Sequence, residues 1–306
     1  MRKLILIDGN AIIHRAFHAL PPFRTSKGEL TNAVYGFTSM LLNILNNEKP
    51  DYIAVSFDLK GKTFRHEQYK EYKATRVKAP DELYEQIPRI KEVVKAFQIP
   101  IYEIAGFEAD DVLGTLAKQA EKESDLMTYI VTGDMDTLQL VTEKVKVLSP
   151  VKGFQESIIY DIPKVLGKYG LSPSQVPDLK GLQGDSSDNI KGVAGIGPKT
   201  AQSLLQKYGS IENIYNHLEK IPGKVGEKLK NDRASAFESK TLATIITQVP
   251  MSLDLNSCRT HHYDPEKILE LFKELEFKSL YSKLGTFNSH SLAKKIEEDQ
   301  TQPSLF

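Results

Sequence analysis

The chain has 306 residues, enough for one large domain or two modest ones around a buried core, and its 40% hydrophobic and 26% charged content is that of a soluble globular protein. Lys+Arg and Asp+Glu both number 40, so net charge points to no class of partner, and Cys258 as the only cysteine excludes an intrachain disulfide and a cysteine-rich zinc site. No stretch approaches the roughly 20 apolar residues of a membrane span. The opening MRKLILIDGN reads as a strand and not as a signal peptide, because Asp8 interrupts the apolar run; the protein is expected in the cytoplasm, as a monomer.

In chain order, residues 4–7 form a short continuous apolar run, the pattern of a buried strand. Val34, Phe37, Met40, Leu41, Ile44 and Leu45 recur at helical spacing. Residues 52–57 give a second strand. The stretch TFRHEQYKEYKATR then spaces Arg65, Lys73 and Arg76 along an expected helix, with Tyr69 and Tyr72 interleaved. Tyrosines between cations can stack on bases while the cations hold phosphates; a solvated helix face is the plain alternative. Leu83, Ile87, Ile90, Val93, Val94 and Phe97 mark another amphipathic helix, with Asp81 as its cap. Residues 99–104 give a third strand, 109–121 a helix, 127–132 a fourth strand and 145–148 a fifth. Strands alternating with helices predict an α/β fold with a mostly parallel sheet covered on both faces. From about residue 161 the segments become short, helical and punctuated by Gly and Pro. The expected division is therefore an α/β core over 1–160, a helical region over 161–284 and a polar tail over 285–306.

The chemistry is carried by acids at strand ends. Asp8 closes the first strand, Asp58 the second, and Asp134 and Asp136 follow the fourth across Gly133. Parallel strands deliver their carboxyl ends to one edge, so these groups should converge there. GFEADD adds Glu108, Asp110 and Asp111 at a helix start, and GDSSDN adds Asp185 and Asp188, expected on one side of a helical turn. Any one Asp after a strand is more simply a cap or turn residue, but one edge collecting so many is hard to explain that way. Left alone, the carboxylates would repel strongly. Oxygen-only ligands suit Mg²⁺, and two such ions about 4 Å apart are the usual clamp for phosphodiester hydrolysis.

KGVAGIGPKTAQSLL is the most specific string. Gly192, Gly195 and Gly197 permit a tight hairpin, and Pro198 can open the following helix. The hairpin amides and helix amino end can grip a phosphate with Lys199 adding charge, and the hairpin carbonyls can hold a monovalent cation. Such a device reads backbone and not sequence. His14 reads as a packing residue, and Arg15 as either an ion-pair partner of the acids or a phosphate contact.

Taken in order, DGNAIIHRAF, FDLKGKTFRHEQYKEYKATR, GFEADD, TGDMDTLQL and GDSSDNIKGVAGIGPKTA resemble the bacterial 5′-nuclease family, which includes the amino-terminal domain of DNA polymerase I, phage 5′-exonucleases and flap endonucleases. The resemblance implies a PIN-like α/β nuclease core, a helical arch over about 60–98 and a helix–hairpin–helix DNA clamp. It implies Asp8, Asp58, Glu108 and Asp110 as ligands of one metal and Asp134, Asp136, Asp185 and Asp188 as ligands of a second, with Asp111 shared or behind them. Mg²⁺ is the expected ion, with Mn²⁺ a substitute, and K⁺ is expected at the hairpin. Arg15, Arg65, Lys73 and Arg76 resemble the family's phosphate contacts, with Lys73 stabilising transition-state charge and Tyr72 stacking near the scissile nucleotide. Lys191, Gly192, Gly195, Ile196, Gly197, Lys199 and Thr200 resemble its duplex clamp. The implied activity is hydrolysis at 5′ flaps, nicks and RNA–DNA primers, leaving a 5′-phosphate and a 3′-hydroxyl, in primer removal and repair near the nucleoid. A non-catalytic DNA-binding homologue is the competing reading, and the intact acidic set speaks against it. The chain stops at Phe306 where a polymerase I would continue, which reads as a free-standing nuclease or a domain of a longer protein. Its last residues, with Gln302, Leu305 and Phe306, resemble a peptide that docks on a sliding clamp.

Overall fold

A computed structural model describes residues 1–151, 156–260 and 262–284. The alternating strands β1 (Arg2–Asp8), β2 (Tyr52–Ser56), β3 (Ile101–Tyr102), β4 (Leu126–Val131), β5 (Val145–Pro150) and β6 (Ser157–Tyr160) form one sheet in the order β3-β2-β1-β4-β5-β6. The first five are parallel, as expected, and β6 runs antiparallel to β5. β1 is the hinge of the topology: the chain first winds outward to β2 and β3, then returns to lay β4 on the other side of β1. Crevices of α/β sheets form at such a reversal, at the carboxyl ends of the strands.

The inner strands are buried on both faces, and successive side chains alternate between two cores. Ile5, Ile7, Ile53 and Val55 face a core shared with helices α1 (Gly9–Ala19) and α2 (Asn32–Asn43). Leu4, Leu6, Tyr52 and Ala54 face a second core on the opposite side. α3 (Phe64–Gln68) is a single short helix, whereas α4 (Asp81–Ala96) lays Leu83, Ile90, Val93 and Val94 into the first core. α5 (Ala109–Ala120) covers the second face with Val112, Leu113 and Leu116, joined by Val165 of α6 (Ile162–Tyr169). β3 is shorter than the sequence suggests, since Pro100 before it has no N–H to give to a ladder. β6 carries no alternation to betray it; Ile158 and Ile159 are exposed on this edge strand.

The basic stretch does not form the continuous helix expected of it. After α3 the chain turns repeatedly, with Lys73 at φ 55°, and then runs extended to α4. Burial of Tyr72 against Ile190, Leu242 and Ala243 pins it to the second half of the molecule, and the Lys73 N–H donates to the Asp188 carbonyl at 2.9 Å.

Helices α7 (Val176–Gln183), α8 (Pro198–Tyr208), α9 (Ile211–Asn216), α10 (Gly223–Asn231) and α11 (Arg233–Ala243) enclose a third core around Leu182, Leu205, Ile211, Ile214 and Leu229. The region expected over 161–284 is not one packing unit, however. α12 (Pro265–Glu274) and α13 (Tyr281–Leu284) return to the first core, where Phe272 meets Phe97 and Phe277. Among the described residues no helix is long and apolar enough to cross a membrane. The expected docking residues Gln302, Leu305 and Phe306 lie outside the described residues.

Gly9 lets the end of β1 press on the end of β2. A Cβ there would lie 2.2 Å from Phe57 Cε1 and 2.8 Å from the Ser56 carbonyl oxygen. Gly9→Ala is therefore expected to cost about 1–3 kcal/mol of stability in urea unfolding. Gly133→Ala, whose Cβ would meet nothing within 4 Å, should stay within about 0.5 kcal/mol of the parent.

Candidate functional site

Each strand-end acid is first a local structural device. Asp8 caps α1 by accepting from the Ala11 N–H at 2.9 Å, and its other oxygen accepts from Thr132 Oγ1 at 2.7 Å. Asp58 accepts from the Ala109 N–H at 2.7 Å and so anchors the start of α5 to the end of β2. Asp134 accepts from the Asp136 N–H at 2.8 Å. Capping and convergence are thus the same event: helices that start where parallel strands end bring their capping acids together.

Asp8, Asp58, Glu108, Asp110 and Asp134 line one cleft of about 770 Å³, with Lys73, Arg76, His14 and His18 on its walls. Asp134 therefore stands with the acids assigned to the first metal set, not apart from them. Glu108, Asp110 and Asp134 also line an adjoining crevice together with Asp136 and Asp188. Burial pushes the Asp8 carboxyl up to about 6, helped by Asp58 and Asp134 and opposed by its two hydrogen bonds. Burial raises Asp110 well above the usual carboxylate range, and Asp8, Asp134 and Asp58 raise it further. Asp136 is lifted to about 6 by burial and by Asp134, against the pull of Lys180. Asp110 Oδ1 is buried with no hydrogen-bond partner. An orphaned carboxylate oxygen in a ring of destabilised carboxylates is a place for a cation.

Side-chain cations already answer part of that demand. Lys73 Nζ donates to Glu108 Oε1 at 2.9 Å and lies 3.8 Å from Asp188 Oδ2. Burial would raise Glu108, but Lys73 and Arg65 outweigh it and hold the carboxyl below its usual range. Lys180 Nζ donates to Asp136 Oδ1 at 2.7 Å and to Asp185 Oδ2. Lys180 was not foreseen; its one signal is a place on α7, five residues before Asp185. Thr132 was also missed, although a hydroxyl just before Gly133-Asp134 is well placed to orient acids. Among the described residues no three of these side chains are already gathered to metal-ligand spacing. The oxygen-only donor set fits a divalent cation, which has to draw the carboxylates away from these lysines.

Several expected site residues do other work. Asp111 is fully buried and accepts from Arg65 Nη1 and Nη2 at 2.7 and 2.8 Å, from the Ile246 N–H at 2.8 Å and from the Glu108 N–H at 3.1 Å. Its oxygens are spent, so it holds the start of α5 and not a metal. Arg65, 2% exposed, also donates to the Leu242 and Thr244 carbonyls at 2.9 and 2.8 Å and is not presented to a phosphate. Tyr72, 3% exposed, sets its hydroxyl 3.1 Å from both Glu108 Oε2 and Asp188 Oδ2, and so braces the acids instead of offering a stacking face. Arg15 donates to the Val151 carbonyl at 2.6 Å. Arg76 is exposed on the cleft wall as expected.

Asp185 and Asp188 do not share a helical face. Reciprocal bonds between Asp185 and Ile190, at 2.8 and 2.7 Å, close a tight loop that sends Asp185 to Lys180 and Asp188 to Lys73 and Tyr72. The hairpin follows directly. Lys199 is exposed at the first turn of α8 beside half-buried Thr200, and exposed Lys191 pairs with Glu71 at 3.0 Å. Gly192 is buried, Gly195 and Gly197 are exposed, and Ile196 turns into the third core, leaving only its backbone to the surface. The Gly195 carbonyl already accepts from Lys228 Nζ at 2.8 Å. The hairpin therefore does not fit the free K⁺ ion expected on its carbonyls.

Two family models cover most of the chain. That for the 5′-3′ exonuclease N-terminal resolvase-like domain matches residues 3–170, and that for the 5′-3′ exonuclease C-terminal SAM fold matches residues 171–266. DNA polymerase I of Caldicellulosiruptor bescii is 47% identical over 92% of this chain and 33% of its own length. The Bacillus subtilis DNA polymerase I is 43% identical over 98% of this chain and 34% of its own. The chain thus spans about a third of the length of the curated relatives it matches. Among solved structures, T5 5′-exonuclease with bound zinc superposes with a TM-score of 0.67 at 21% identity, covering 90% of this chain and 99% of that one. The catalytic core of Rad2 in complex with DNA substrate gives 0.62 at 18% identity, covering 94% and 92%.

The Arg65–Asp111 pair is a structural lock. Arg65→Met strands a buried carboxylate and is expected to cost about 3–5 kcal/mol in chemical denaturation. Arg65→Lys should recover only part of the loss, because one ammonium cannot reproduce the two-pronged contact. A cleft contact to phosphate would instead leave stability near the parent value.

Proposed function

Because the chain belongs to the 5′-3′ exonuclease family, we propose that it is a divalent-metal-dependent structure-specific 5′-nuclease acting on DNA with 5′ flaps, nicks or RNA primers, in replication and repair. The observation that carries this reading is the cleft at the strand ends, lined by five carboxylates, of which Asp110 has a buried oxygen with no hydrogen-bond partner. When bound, divalent ions supply Lewis acidity and a clamp for in-line displacement at phosphorus, leaving a 5′-phosphate and a 3′-hydroxyl. Asp8, Asp58, Glu108, Asp110 and Asp134 would hold the cleft ion, and Asp136, Asp185 and Asp188 are the further ligands for a second. Mg²⁺ is the physiological choice on ligand chemistry, with Mn²⁺ substituting.

The chain's own residues prepare the phosphate. Lys73 turns from Glu108 towards the charge that develops on the scissile phosphate, so its contact strengthens as the reaction proceeds. Arg76 steadies the 5′ side from the cleft wall. The amino end of α8 and Lys199 hold duplex backbone. Lys191, tied to Glu71, links that grip to the segment carrying Lys73. The protein would act as a cytoplasmic, nucleoid-associated monomer, with the tail as a tether to a sliding clamp.

A labelled 5′-flap oligonucleotide incubated with and without Mg²⁺ tests the reading. Cleavage should need the metal and vanish in Asp134→Ala; tight binding by the parent without any cutting in Mg²⁺ or Mn²⁺ would make the chain a non-catalytic DNA-binding protein. Lys73→Ala should lower single-turnover cleavage by about a hundredfold or more while flap affinity changes by less than about threefold. Lys199→Ala should weaken binding to all sequences alike and reduce the slope of log K against log salt by about 1.

A further inference from the structure

α10 and α11 close over the hairpin with four polar contacts. The Ala194 N–H donates to Asp232 Oδ2 at 2.8 Å and the Gly192 N–H to Ser239 Oγ at 2.9 Å. Ser235 Oγ donates to the Gly192 carbonyl at 2.6 Å, and Lys228 Nζ to the Gly195 carbonyl at 2.8 Å. The Val193 and Gly197 carbonyls accept from the Ile196 and Ala201 N–H groups, each at 3.0 Å. Four hairpin carbonyls thus have donors within the protein, and the donor on Gly195 carries a full positive charge. Gly195 has φ +74°, and the end of the Lys228 side chain lies where its Cβ would be, with Nζ 2.5 Å from that position. The lysine is delivered by a fixed helix. Its neighbour Leu229 is fully buried, and the Leu229 carbonyl accepts from Tyr215 Oη at 2.9 Å.

We propose that the Lys228 ammonium is the resident monovalent cation of this hairpin, so that the chain grips duplex backbone without recruiting K⁺. An ammonium and K⁺ bear the same charge and both satisfy carbonyl oxygens, but the tethered group needs no capture from solution. It places its charge on the turn that leads into the amino end of α8, where a free ion would otherwise serve. The inference rests on reading the hairpin as a DNA clamp.

Fluorescence anisotropy of a fluorescein-labelled 5′-flap duplex tests it, with Ca²⁺ replacing Mg²⁺ to hold cleavage. Binding is compared in KCl, NaCl and tetramethylammonium chloride at equal ionic strength. The parent should bind equally in all three within about twofold, whereas Lys228→Met should lose about tenfold in tetramethylammonium and regain most of it in KCl. Lys224→Met removes a charge from the same helix away from the hairpin and should show no recovery selective for K⁺. In parallel, ²⁰⁵Tl NMR titration with thallium nitrate should reveal saturable binding to Lys228→Met and none to the parent. The proposal is overturned if the parent binds more than about fivefold tighter in KCl than in tetramethylammonium, or takes up thallium as Lys228→Met does. It is equally overturned if Lys228→Met shows no salt-selective recovery. Absence of parent binding to the flap in every salt would sink the DNA-clamp reading alone, and the thallium titration would still decide what holds the Gly195 carbonyl.

Discussion

Mutual repulsion among buried carboxylates is the constraint around which this molecule is organised. Two unit charges 4 Å apart cost about 4 kcal/mol at the effective dielectric of a protein surface. The fold brings at least five acids into one cleft and two more beside it. Such an arrangement persists only if positive charge is supplied. Here that supply has a graded form. Arg65 permanently neutralises Asp111 at the back, whereas Lys73 and Lys180 engage the outer acids from partly exposed positions. The acids in the centre, with Asp8 and Asp110 raised by burial, are left to an ion from solution.

Lysine suits the outer acids because its charge is a compact point on a flexible stem, able to withdraw when a competitor arrives. Lys73 and Lys180 differ in this from Lys228 at the hairpin, which a fixed helix holds on the Gly195 carbonyl. Arginine is used where withdrawal would be harmful, at the buried start of α5. Around the acids, the choice between the two cations separates what must move from what must not.

Much of this was legible in the sequence, for a physical reason. Parallel strands are continuous apolar runs, and the residue after such a run lies at a known edge, so Asp8, Asp58 and Asp134 could be placed together without coordinates. Glycine spacing announced the hairpin in the same way. The partners of the acids were not legible. Asp111 and Asp110 are adjacent and identical in kind, yet one is saturated by Arg65, Glu108 and Ile246 while the other has an oxygen with nothing. The difference lies in which side of the first turn of α5 faces residues 242–246, and no local pattern encodes that. Tyr72 and Arg65 misled for a related reason. A basic, aromatic stretch reads as a surface, but α3 buries Arg65 and the turns after it bury Tyr72.

The return of α12 to the first core bears on how the chain acquires its structure. Phe272 closes against Phe97, and Tyr35 packs edge-on against Phe277, partners more than 170 positions apart in sequence. During synthesis the helices over that face of the sheet emerge long before their cover does. Residues 171–243, with a core of their own, can collapse in the interval. The sheet layer is therefore sealed by a segment made well after it, and closing so long a loop is slow. Until then the apolar face of α2 and α4 that α12 and α13 cover is open to water.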